Sequence, residues 1–166
     1  MKMELIQPFV NSLDAVVAEI MGCSAQISDV AMSETSSRQS GFAARVCISG
    51  EIEGSILLDL DETAAKRAAR FLSGDESEPA DQSAREAVCE LSNMVVGNAV
   101  TQLNDRGFKF KVHPPEICAT AGNIKETVDT EALVVRFDTP CGSVSLDVAM
   151  KYNLHRTGEP AILAAS

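Results

Sequence analysis

The sequence predicts an α/β domain of the layered α+β kind: a mostly antiparallel sheet with long helices packed on it. Three observations carry this. Strand-like runs come in hairpins, at 42–48 with 52–60 and again at 132–137 with 143–150. Between them lie long stretches whose apolar residues recur at helical spacing. The composition is 45% hydrophobic but only 4% aromatic, without Trp, so the core must be built from Val, Ile, Leu, Ala and Met, which suits helices laid on a sheet.

Each element follows from its local pattern. Over 3–21, Leu5, Phe9, Leu13, Val16, Val17 and Ile20 form an amphipathic helix, with regular helix expected from about Pro8 and a stop at Gly22. Residues 25–32 alternate weakly (Ile27, Val30, Met32) and read as a strand, and 33–41, rich in Ser, Thr and charge, as a loop. In the first hairpin Ile52, Gly54, Ile56, Leu58 and Leu60 alternate with Glu53, Ser55, Leu57 and Asp59, which predicts one buried face. Asp61-Glu62-Thr63 opens a second helix with Ala64, Ala65, Ala68, Phe71 and Leu72 as its buried side, and Ser73-Gly74 stops it. An acidic connector (75–82) leads to the longest helix, from about Ser83 to Arg106, closed by Gly107. Three strand regions follow: 108–118, broken by Pro114-Pro115, then 132–137 and 143–150, the last two joined by the turn-forming Asp138-Thr139-Pro140-Cys141-Gly142. The expected organisation is one domain over 1–152 and a C-terminal tail over 153–166.

Bulk properties narrow the function. A net charge of −10 with scattered Lys and Arg argues against nucleic acid. No apolar run approaches the ~20 residues of a membrane span. Five cysteines occur (Cys23, Cys47, Cys89, Cys118, Cys141) without any Cys-x-x-Cys pair, and no signal peptide is expected. They read as small buried hydrophobes in a reducing, cytoplasmic protein. With two histidines, neither at ligand spacing from a cysteine, no zinc site is expected.

The segment richest in function is Glu86-Ala87-Val88-Cys89-Glu90-Leu91-Ser92-Asn93-Met94-Val95-Val96-Gly97-Asn98-Ala99. On a helix, Val88, Leu91, Val95 and Ala99 make an apolar stripe, while Glu90 and Asn93 project side by side away from it. A carboxylate and a carboxamide at fixed spacing on a rigid element are a small polar tool. Taken alone, the pair also reads as an ordinary solvated face.

Context decides between the two. Ile6-Gln7-Pro8-Phe9-Val10, the hairpin Ile48-Ser49-Gly50-Glu51-Ile52-Glu53-Gly54-Ser55-Ile56, and the Glu90-Leu91-Ser92-Asn93 helix with its trailing Gly97-Asn98-Ala99 occur in that order. Together they resemble the CheC/CheX/FliY family of chemotaxis phosphatases, most closely the single-domain CheX type, over roughly residues 5 to 150. The family often has Asp or Ser where Glu86 stands, and a Pro near Pro114 or Pro115. A single Glu-x-x-Asn copy is present, as in CheX-like chains.

The resemblance implies hydrolysis of the aspartyl phosphate on a CheY-like receiver domain, in two-component signalling. Asn93 would orient the attacking water and Glu90 would dock against a receiver lysine. The chain itself would bind no metal or cofactor, with Mg2+ carried by the phosphorylated regulator. A homodimer is implied too, and an edge strand of the 132–150 hairpin is a possible contact. A non-catalytic module that sequesters a response regulator or motor-switch component is the alternative. Glu86 is either a partner-steering charge or a solvated one. Gly97 either leaves room for the partner or permits close packing on the core. Asn98 is expected nearer the apolar side, and His113 as incidental.

Overall fold

The computed structural model describes residues 3–22, 24–33, 36–37, 42–118, 123–124 and 132–152. The tail expected at 153–166 lies outside them, as does Cys23. The chain runs α1 (Met3–Met21), β1 (Gln26–Ser33), β2 (Ser36–Ser37), β3 (Phe42–Gly50), β4 (Ile52–Leu60), α2 (Glu62–Ser73), α3 (Asp81–Asp105), β5 (Phe110–Val112), β6 (Glu116–Cys118), β7 (Asn123–Ile124), β8 (Ala132–Thr139) and β9 (Gly142–Tyr152). The layered α+β class is as the sequence predicts. The main sheet has the order β1-β8-β9-β4-β3-β5, with β6 also on β3, and every pairing is antiparallel. A separate two-stranded ladder joins β2, within the stretch expected as loop, to β7.

Register aligns the apolar residues across the sheet. Val135 pairs with Leu146, which pairs with Leu58, which pairs with Ala44. Leu133, Val148, Ile56 and Val46 form the next rung. These residues share one core with Leu5, Phe9, Leu13 and Val16 of α1, Ala64 and Ala68 of α2, and Val88, Leu91 and Val95 of α3. α3 packs on α1, α2, β3 and β4. The glycine-spaced turn has a steric reason: Gly54 has φ +155°, and a Cβ there would run into the carbonyl of Ala149 on β9.

Four expectations are corrected. Helix α1 starts at Met3, with Pro8 buried inside it. Proline cannot donate to the carbonyl four residues back, but the Arg106 guanidinium donates to that carbonyl, Glu4 O, at 3.2 Å. Second, β4 is buried on both faces from Ser55 to Leu60, where one buried face was expected. Third, Phe71 and Leu72 are 52% and 40% exposed instead of buried; the buried face of α2 comprises Ala64, Ala65, Ala68 and Ala69. Fourth, the 132–150 hairpin offers no edge, since β8 is covered by β1 and β9 by β4. The described cysteines, Cys47, Cys89, Cys118 and Cys141, are half-buried instead of fully buried.

Asp61 joins helix to sheet. One carboxylate oxygen accepts from Ala64 N at 2.8 Å and caps α2, while the other accepts from Ser143 N at 2.8 Å on β9. Gly142 (φ +127°) lets the chain pass so close; a Cβ there would sit 2.8 Å from Ala64 N. Asp61→Ala leaves two N–H groups without their acceptor and should cost about 1–3 kcal/mol, read as a lower urea midpoint at unchanged m-value.

Candidate functional site on the outer stripe of the third helix

Helix α3 begins after Ala80, spans Asp81–Asp105 and is closed by Arg106. Its inner side is Ala84, Ala87, Val88, Leu91, Ser92, Val95, Val96, Ala99 and Leu103, all buried. One hydroxyl fixes it further: Ser12 of α1 donates to Val95 O at 2.8 Å in the core. Ser92 donates to Val88 O at 2.8 Å within the helix. Rotation or sliding of α3 would break both packing and the Ser12 bond.

With the inner side fixed, the outer side is fixed too. Glu86, Glu90, Asn93 and Gly97 are all exposed. At 3.6 residues per turn their spacing of four, three and four confines them to an arc of about 60°. Glu90 and Asn93, three apart, have Cβ atoms about 5–6 Å from each other. The helix thus presents, along one line, two carboxylates, a carboxamide and a bare stretch of backbone. All the residues singled out from sequence on this helix fall on that line except Asn98, which is exposed to one side instead of turned toward the core.

Gly97 has no packing reason among the described residues. A Cβ built on it meets nothing within 4 Å, so the close-packing reading fails. Thr101 returns its hydroxyl to Gly97 O at 2.9 Å. Glycine in a helix interior is less favourable than alanine by about 0.8–1 kcal/mol, and the fold does not require it here.

Cys89 is the neighbour of Glu90, and burial pushes its thiol pKa up, helped by the nearby Cys118, Glu90 and Glu86. It is poorly suited to thiolate chemistry. His113 lies away from the helix, its ring nitrogen 2.9 Å from Ser49 Oγ on β3. Among the described residues no group of three or more His, Cys, Asp or Glu could hold a metal ion, and no helix is long and apolar enough to cross a membrane. Chemically, the stripe can accept from and donate to a water or phosphoryl oxygen through Asn93 and attract a cation through Glu90 and Glu86.

What the sequence does not reveal is a groove of about 440 Å3 on the flank of this stripe, between the end of α2 and the first half of α3. Glu86 and Glu90 line it together with Leu72. The available signal was the α3 residues there, Ser83, Glu86 and Ala87, too small or too polar to cover a leucine.

Comparison with known proteins gives the family. Residues 42–138, more than half of the chain and including the stripe, match the family model described as chemotaxis phosphatase CheX. The chain belongs to the CheX family of chemotaxis phosphatases. Among solved structures, a CheC-like superfamily protein from a Shewanella species is similar at 21% identity and TM-score 0.81, over 91% of this chain and 99% of that one. A chemotaxis protein CheX from Desulfovibrio desulfuricans is similar at 22% identity and TM-score 0.76, over 90% and 99%. The CheX–CheY–BeF3–Mg complex from Borrelia burgdorferi matches at 27% identity and TM-score 0.64, over 88% and 97%. No curated protein sequence matches the chain.

Because Gly97 carries no structural duty, Gly97→Ala should stabilise the protein by about 0.4–1 kcal/mol, seen as a raised urea midpoint or melting temperature. A destabilised variant would mean that the glycine serves packing after all.

Proposed function

We propose that this chain is a cytoplasmic phosphatase that hydrolyses the aspartyl phosphate of a CheY-like response regulator. The observation that carries the proposal is the position of Glu90 and Asn93: exposed, one turn apart, on the outward stripe of a helix clamped on its inner side. Membership of the CheX family supports it. So does the Borrelia complex, in which a CheX is found with CheY, beryllofluoride and magnesium.

An aspartyl phosphate is a mixed anhydride, so little chemistry has to be supplied beyond positioning. The water oxygen bonds phosphorus in line as the P–O bond to the aspartyl carboxylate breaks, and the carboxylate leaves with the electron pair. Inorganic phosphate takes up the water's proton. Asn93 fits the aiming role because its carbonyl oxygen accepts from the water while its NH2 donates to an adjacent oxygen. Glu90, one turn earlier, salt-bridges a lysine of the receiver and sets the depth to which the helix enters. The magnesium ion belongs to the receiver, where it neutralises the phosphoryl oxygens. Gly97, with open space where a side chain would stand, gives the receiver backbone room to approach, and Glu86 adds attraction at longer range.

The test is phosphate release from a phosphorylated receiver domain with magnesium. Asn93→Ala should lower kcat by at least 100-fold with binding within a few-fold of wild type, whereas Glu90→Ala should weaken both. If wild type accelerates phosphate loss from no CheY-type receiver, the chain is a binding module. Gly97→Ala should also lose kcat/KM despite its greater stability.

We also infer a homodimer, as the family resemblance implies. Among the described residues β1 pairs only with β8, at the end of the sheet. Ile27, Val30 and Met32 on it are each more than half exposed, an apolar edge of the kind that a second copy covers. Sedimentation equilibrium should give about twice the 17.7 kDa chain mass, and Val30→Asp should return it to the monomer. A monomeric wild type would refute this.

A further inference from the structure

The groove beside the stripe supplies more than catalysis requires. It is lined by Leu72, Pro79 and Ala87 and by the carboxylates of Asp75, Glu78, Glu86 and Glu90, with no cation among the lining residues. Leu72 is 40% exposed and Phe71, the preceding residue on α2, 52%. The helical pattern of α2 continues into Leu72, yet α3 offers Ser83, Glu86 and Ala87 opposite it, so the apolar surface is left open.

The groove is also built in advance. Lys66 Nζ and Arg70 Nη2 each reach Glu78 at 2.8 Å, tying the connector back onto α2. These contacts raise the pKa of Lys66, through Glu62 and Glu78, and lower that of Glu78, chiefly through Lys66. Asp75 accepts from Ser77 N at 2.9 Å and Ser73 Oγ accepts from Asp75 N at 3.1 Å, shaping the turn that forms the outer wall. Glu78 is therefore compensated within the chain, while Glu86 and Glu90 enter no ion pair among the described residues.

We propose that this groove anchors the same receiver domain on which Asn93 acts, by taking an apolar side chain of the receiver onto Leu72 with a lysine or arginine beside it against the acidic lining. The inference rests on the phosphatase reading and deepens it. Two features select this occupant. Glu90 belongs both to the groove and to the stripe, so a body seated on Glu90 covers the two together. The lining presents apolar and acidic groups and no basic one, so its complement is apolar and basic. Docking energy is thereby placed on α2 and the connector, leaving Asn93 free for the transition state.

Two variants test it in the intact protein: Leu72→Ser and Glu86→Gln, each at an exposed position, with folding checked by thermal melting. KM is measured with a magnesium-loaded, phosphorylated CheY-type receiver, and Kd with the same receiver carrying beryllofluoride. Leu72→Ser should raise KM and Kd together by about tenfold, with kcat within twofold, and Glu86→Gln by a smaller factor that shrinks as salt is added. Unchanged KM and Kd in both variants would overturn the groove while Asn93→Ala still tests the phosphatase. If wild type binds but does not hydrolyse, the phosphatase reading fails and Kd alone decides the groove. If wild type does not bind the receiver, the groove assignment is refuted.

Discussion

Everything the outer stripe can do depends on the burial of the inner side of α3. Val88, Leu91, Val95, Ala99 and Leu103 are at most 2% exposed, and burying each of the larger of them contributes about 1.5–3 kcal/mol. The core fixes rotation about the helix axis, and the Ser12–Val95 bond at 2.8 Å fixes position along it. A helix held by both constraints can present two side chains to another protein without a loop, a lid or a metal to steady them. That suits a reaction in which the substrate protein brings the labile bond and its magnesium.

The sheet serves the same end at one remove. β3 and β4 carry the apolar rungs on which α3 rests, and their register depends on close backbone passages that Gly54 makes possible at β9. Asp61 ties α2 to the sheet and so sets one wall of the groove as well. The groove and the outer stripe are thus two readouts of one packing arrangement, the first on α2 and its connector, the second on α3.

Much of this was legible in the residues, for reasons that can be named. The inner stripe of α3 is periodic at the helical spacing, and the outward positions of Glu86, Glu90, Asn93 and Gly97 follow from it by geometry. The hairpins were legible because their alternation and turns are local. Legibility failed where tertiary partners decided. Pro8 sits inside α1 because Arg106, nearly a hundred residues away, reaches Glu4 O. Phe71 and Leu72 continue an apolar pattern but face no apolar partner, so the groove was invisible to periodicity. The pairing of β1 with β8, which removes the last hairpin from the edge, joins segments over a hundred residues apart. The roles proposed for Glu90 and Asn93 rest on family context, since an exposed Glu-x-x-Asn alone is an ordinary helix surface.

The central claim is that the stripe from Glu86 to Gly97 enters the phosphorylation site of a receiver domain. The most direct measurement is nuclear magnetic resonance of the isotope-labelled chain titrated with a CheY-type receiver loaded with beryllofluoride and magnesium. The claim predicts that the Asn93 side-chain amide and the backbone amides from Glu86 to Gly97 shift or broaden in step with binding, and only weakly without beryllofluoride. Binding that leaves the Asn93 side-chain amide unmoved, with the changes confined to another face such as β1, would contradict it.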